Sequence, residues 1–149
     1  MTLLEKIKSL ASENAELVKA IREHLHRHPE LSFNEVQTAQ YIANTIEKWK
    51  IPYKNNIGGN GIVAWIHGSS IGKNIALRAD MDALPIEEKN DISYCSANKG
   101  VMHACGHDLH TASLLGALYV LNQIKEEISG TVWAIFQPAE EKLPGGAQA

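Results

Sequence analysis

Leu17, Ile21 and Leu25 recur every four residues with charged residues between them, which predicts an amphipathic helix near the N-terminus. Pro29 stops it, because a proline pushes the residue before it, here His28, out of the helical region. Asn34 then fits an N-cap, with Gln37 three residues later as in a capping box. Ala39, Ile42, Ala43 and Ile46 supply the buried stripe of this second helix, and Pro52 lies past its end. Beyond it the pattern changes to β-branched, apolar runs. Residues 61–67 (GIVAWIH) and 74–79 (NIALRA) read as strands. The short, turn-rich connection at 68–73 predicts that they form an antiparallel hairpin. Residues 86–106 follow no period, and loops of that length are usually functional or poorly ordered. Leu114, Ala117, Leu118, Leu121, Ile124 and Ile128 return to helical spacing, so a third helix is expected from near His107 to Gly130. Residues 131–136 (TVWAIF) complete the pattern as a buried strand. If the strands at 74–79 and 131–136 are parallel neighbours, the helix between them crosses over one face of the sheet.

That topology brings chemistry to one edge. Asp80 and Asp82 fall at the C-terminal end of one strand, and Glu140 and Glu141 just past the end of the next. Cys105 and His107 fall at the start of the connecting helix, which opens at the same edge. In open α/β sheets this edge is where ligands bind. Taken singly, each group has a plain reading: a small core cysteine, loop acids bonded to backbone, a solvated glutamate pair. Their convergence favours a metal site. The helix N-terminus predicts a readily ionised Cys105, and His107 adds a neutral nitrogen. Mixed sulfur, nitrogen and oxygen donors suit zinc best. Neighbouring side chains in an extended segment point opposite ways, so one of the two glutamates can bind the metal while the other faces a water. The combination points to a metal-dependent hydrolase, in which the free carboxylate takes a proton from the water. His110, one turn after His107, reads as a supporting group or a surface imidazole, and His103 as a residue without a role. His24, His26 and His28 alternate on a helix and do not share a face. Cys95 reads as structural, and Trp49, Trp65 and Trp133 as core.

The 149 residues make one domain's worth of chain, with 44% hydrophobic and 21% charged residues, both globular values. A net charge of −3 leaves no basic footprint for nucleic acid. No apolar run reaches the roughly 20 residues that cross a bilayer, and acids and lysines interrupt the N-terminal segment where a signal core would lie. With two cysteines, 95 and 105, and no secretory signal, reduced thiols and a cytoplasmic location are expected. No cysteine lies two residues from Cys105 to resolve a redox reaction.

Four blocks carry a family resemblance: residues 22–31 (REHLHRHPEL), 77–85 (LRADMDALP), 101–108 (VMHACGHD) and 136–141 (FQPAEE). With them the chain resembles the aminoacylase/carboxypeptidase superfamily of metallohydrolases, in its N-acyl-amino-acid amidohydrolase and hippurate hydrolase branch. The resemblance implies a three-layer α-β-α, zinc-exopeptidase-like domain on a mixed sheet. It implies that Cys105, His107 and Glu141 are metal ligands, that Glu140 is the general base, and that Asp82 orients a ligand. It also implies two ions per site, zinc before manganese, cobalt or nickel, with the cysteine as bridge. The implied reaction is hydrolysis of the amide of an N-acyl amino acid, or of a short peptide in a dipeptidase or carboxypeptidase relative. Members are longer, homo-oligomeric, and supply two further histidine ligands and a lid domain, whereas no histidine follows His110 here. Residues 1–149 are therefore expected to be the N-terminal part of the catalytic domain, weakly active or inactive alone. A non-catalytic metal-binding or assembly fragment is the alternative.

Overall fold

The computed structural model describes residues 1–148. Helix α1 (Leu3–Glu13) opens on a reciprocal cap, in which the Thr2 hydroxyl accepts the Glu5 N–H and the Glu5 carboxylate accepts the Thr2 N–H. Helix α2 (Ala15–Arg27) ends at His28, ahead of Pro29, as predicted. Its buried stripe is Ile21 and Leu25, with Val18 packed beside them; Leu17 is exposed. Helix α3 (Val36–Lys48) buries Ile42, Ala43 and Ile46. Its cap is not Asn34. Glu30 reaches across instead, and its carboxylate accepts the N–H groups of Gln37 (3.1 Å) and Thr38 (2.8 Å) and the Thr38 hydroxyl (2.9 Å). A carboxylate complements both the free amides and the helix dipole, which an uncharged asparagine does less well.

Four strands follow or interleave: β1 (Tyr53–Ile57), β2 (Gly61–His67), β3 (Ser70–Asp80) and, after helix α4 (His107–Gln123), β4 (Ser129–Gln137). Their order is β1-β2-β4-β3. Strands β3 and β4 are parallel neighbours, as the pattern suggests. The expected hairpin between β2 and β3 is not formed, because β4 slots between them, antiparallel to β2. Two contacts show why. The short connection spends its amides on the incoming strand: Gly68 donates to Gly130 O (2.8 Å) and Ser69 to Ile128 O (2.9 Å). Apolar β4 thereby gains partners on both sides, Ala134 standing between Ala64 and Leu77. Gly130 lies in β4 rather than ending a helix. Its φ is +83°, and a Cβ there would meet Lys73 O at 2.0 Å, so the close crossing of chains demands glycine. Helix α4 accordingly stops earlier than expected, followed by one 3₁₀ turn at Lys125–Glu127. Edge strand β1 was hidden by its polar sequence, YKNNI.

Ile62, Ala64, Ile66, Ala79, Ala134 and Phe136 line one sheet face and pack on Ile21, Leu25, Ile42, Ile46, Leu115 and Leu118. All four helices lie on this side. The opposite face carries Val63, Ile135, Trp65 and Trp133, the two indoles side by side with ring centroids 5.6 Å apart. Those tryptophans are half-buried rather than core residues. The class is the expected mixed α/β, and within the described residues the helices cover a single face. Helix α4 is apolar nearly all round because it is sandwiched between the sheet and α2. No helix of the described residues is long and apolar enough to cross a membrane.

Candidate metal centre

The C-terminal ends of β3 and β4 are tied to each other and to the first turn of α4. Met81 N–H donates to Gln137 O (3.1 Å), and the Thr111 hydroxyl donates to Asp80 O (3.1 Å). Gly106 precedes α4 with φ +86°, a conformation that turns the chain sharply from Cys105 into the helix. At the end of β4, Ala139 takes φ +50°, rare for a residue with a side chain. These bends bring the groups at 80–82, 105–107 and 140–141 together.

The Cys105 sulfur, a His107 ring nitrogen and a Glu141 carboxylate oxygen all lie within 4.8 Å of one another. His107 is buried and its Nδ1 faces Asp82, 2.9 Å from the carbonyl and 3.2 Å from Oδ1. Its Nε2 is thereby turned toward the glutamates, 3.9 Å from an oxygen of each. The expectation that Glu140 and Glu141 point opposite ways fails, because the segment after Gln137 is a bend, not a strand. Both carboxylates approach the same nitrogen.

Asp82 is the hub. It is 1% exposed and accepts the Ser32 hydroxyl (2.6 Å) and the Glu141 N–H (3.0 Å) as well as facing His107. Burial works against its charge, yet these bonds, with His107 the largest, hold its carboxyl far below the usual range. The same contact with Asp82 raises His107. Cys105 moves against expectation. Its thiol is pushed up, first by hydrogen bonding to Glu141 and then by burial and the nearby acids. A carboxylate that accepts from the thiol favours its protonated form. The donor set fits a divalent cation: a thiol whose proton a metal would displace, an imidazole nitrogen aimed by its own partner, and a carboxylate, all within reach.

His110 stacks beside His107 with centroids 5.7 Å apart, and Asp80, His107 and His110 form a second group of potential donors within 4.8 Å. Asp80 is also paired with Arg78 at 2.7 and 2.9 Å. His103 is buried with neither ring nitrogen bonded, and burial lowers its pKa to about 4. Three further groups near the site carry no motif of their own in the sequence. Ser32 and Glu35 both reach the site from the segment before α3. His26, set aside with its neighbours, is buried between Asp108 (2.8 Å) and Glu88 (3.0 Å), while Arg22 also holds Asp108 at 2.8 Å. The signal was present for one pair: Arg22 and His26 are four apart on one face of α2. His24 faces away and stacks on Tyr41 at 4.0 Å.

A mixed sheet with sulfur, nitrogen and oxygen donors at its C-terminal edge defines an α/β domain with a candidate metal site at its strand ends. Comparison with known proteins narrows the class. The family model described as Peptidase family M20/M25/M40 matches residues 76–149. An N-acyl-L-amino acid amidohydrolase of Geobacillus stearothermophilus is 46% identical over 97% of this chain and 39% of its own length. Thermostable carboxypeptidase 1 of Saccharolobus solfataricus is 47% identical over 95% of this chain and 36% of its own. The crystal structure of the Bacillus subtilis YXEP protein, a dinuclear metal-binding peptidase of the M20 family, superposes with a TM-score of 0.83 at 44% identity. It is covered over 93% of this chain and 38% of its own. The chain belongs to this peptidase family, and it spans somewhat more than a third of the length of the relatives it matches.

Proposed function

We propose that residues 1–149 are the N-terminal part of the catalytic domain of a metal-dependent amidohydrolase that cleaves N-acyl amino acids or short peptides. The observation that carries this reading is the meeting of Cys105, His107 and Glu141 within 4.8 Å, beside a glutamate that is free to act. Cys105, His107 and Glu141 would hold a divalent cation, zinc by its donor chemistry. Such an ion supplies positive charge that acidifies water and polarises an amide carbonyl. Glu140, the more exposed of the pair, is the general base and accepts the proton of the attacking water at its carboxylate. Protonated Glu140 then returns that proton to the leaving nitrogen. Asp82 fixes His107 as the tautomer with its proton on Nδ1 and presents Nε2 to the cation.

The names of the relatives support amide and peptide bonds alike, and the M20 structure named as dinuclear supports a second ion. The test is Glu140→Gln in the protein carrying this chain, assayed on N-acetyl amino acids and on dipeptides. Turnover should fall at least 100-fold, within the range general-base removal costs, while bound zinc per chain stays unchanged. Cys105→Ala and His107→Ala should instead lose the metal. Undiminished turnover in Glu140→Gln would defeat the assignment.

A further inference from the structure

Glu35 is fully buried, at 0% exposure, and stands immediately before α3, far in sequence from the twin glutamates. Among the described residues its side chain has two partners: Oε1 accepts the Ala139 N–H at 2.7 Å, and Oε2 accepts the Asn60 side-chain amide at 3.2 Å. Asn60 is itself held by Phe33 O at 3.2 Å. A carboxyl group is costly to bury, so a position that keeps one needs a task for it. Ala139 supplies that task. It is buried, it sits at φ +50°, and it directly precedes Glu140 and Glu141. Its carbonyl is taken by the Gly146 N–H at 3.3 Å. Two residues on, Asp82 accepts the Glu141 N–H at 3.0 Å. Two buried carboxyl groups therefore grip the backbone on either side of Glu140.

We infer that Glu35 is a positioning residue: it holds Ala139 in its left-handed conformation and so sets the direction of Glu140 and Glu141. It touches no reacting atom. Without it Ala139 can relax to an ordinary φ and turn the peptide that carries both carboxylates. The inference rests on the function proposed above for those two residues.

The experiment compares Glu35→Gln, Glu35→Asp and Glu35→Ala in this chain. Two quantities are read: exchange of the Ala139 amide by NMR, and affinity for Co²⁺ followed by its thiolate absorption. Glutamine keeps an oxygen for the Ala139 amide at the same reach and gives up only the Asn60 contact, where its NH₂ meets another donor, whereas aspartate keeps the acid and withdraws it by one methylene. The Ala139 amide should exchange at least ten-fold faster in the aspartate and alanine variants, and Co²⁺ affinity should fall about ten-fold or more, as for other groups that orient metal ligands. Glutamine should stay within about three-fold of wild type on both measures. Unchanged exchange and affinity in the aspartate variant would overturn the inference, as would a glutamine variant as weak as the aspartate one. If wild-type chain gives no thiolate absorption with Co²⁺, the metal reading fails, and Ala139 exchange alone still decides the role of Glu35.

Discussion

Replacing Asp82 tests the hub of the site without reference to turnover. Its carboxylate serves the Ser32 hydroxyl, the Glu141 N–H and the His107 ring. A hydrogen bond to a charged group contributes about 1.5–3 kcal/mol, so the two from Ser32 and Glu141 account for roughly 3–6 kcal/mol in Asp82→Ala, to which the 3.2 Å contact of Oδ1 with the His107 ring adds. The Glu141 end lies near solvent, and water can replace part of what is removed. Breaking a buried ion pair by deleting one partner costs about 3–5 kcal/mol, and the same range is expected here. Asp82→Asn should cost less, about 1.5–3 kcal/mol, since its amide oxygen can still serve Ser32 and Glu141 while its NH₂ confronts the His107 Nδ1–H. Urea unfolding of the metal-free chain measures both. The pH dependence has a fixed sign. Asp82 is depressed in the folded state, so its contribution is present above the unfolded value near 3.9 and is lost as pH falls toward the folded value. His107 is raised, so its contribution is complete below about 6.5 and is lost as pH rises through its folded value. The pair thus stabilises most between about pH 4 and 6.5, and both flanks should flatten in Asp82→Asn. An alanine variant within about 1 kcal/mol of wild type would refute the hub reasoning.

Metal binding should release protons, because the raised Cys105 thiol is protonated at neutral pH; zinc titrations of the wild-type chain in buffers of different ionisation enthalpy should show about one proton released per ion bound. Gly116→Ala should destabilise by about 1 kcal/mol in urea, since its Cβ would lie 2.6 Å from Val18 Cγ2 and overpacking exceeds the gain in helix propensity. Val18→Ala in the same chain should cancel that loss. Leu118→Ala, at a position of 0% exposure between α4 and the sheet, should cost about 2–5 kcal/mol in the same assay.

Much of this was legible one segment at a time. Ile42, Ala43 and Ile46 declared their helix, and Cys105 with His107 declared a donor pair, because both rest on local spacing. What escaped was decided between segments. The β2–β3 hairpin fails because β4, more than fifty residues later, offers better partners than the short turn does. The first free amides of α3 pass to Glu30 because a carboxylate seven and eight residues upstream of them can reach where the local asparagine does not. The direction of the Cys105 shift differs from the expected one because Glu141, remote in sequence, accepts from the thiol. Glu35 has no sequence signal at all: its importance lies in the single amide it meets across the fold.

The acids explain how such a site can exist before any ion arrives. Cys105, Asp82, Glu140 and Glu141 crowd one imidazole, and like charges at that density would repel. The chain answers by fixing protons where they separate the charges. One sits on the Cys105 sulfur, donated toward Glu141, and one on His107 Nδ1, donated toward Asp82. The first would be exchangeable for a cation and the second would not, since Asp82 meets Nδ1 on one side of the ring while the glutamate carboxylates face Nε2 on the other. In the proposed function a bound cation would replace the labile proton and leave the orienting one, so His107 would keep its tautomer and the Glu140 carboxylate would stay available for the role of base proposed for it.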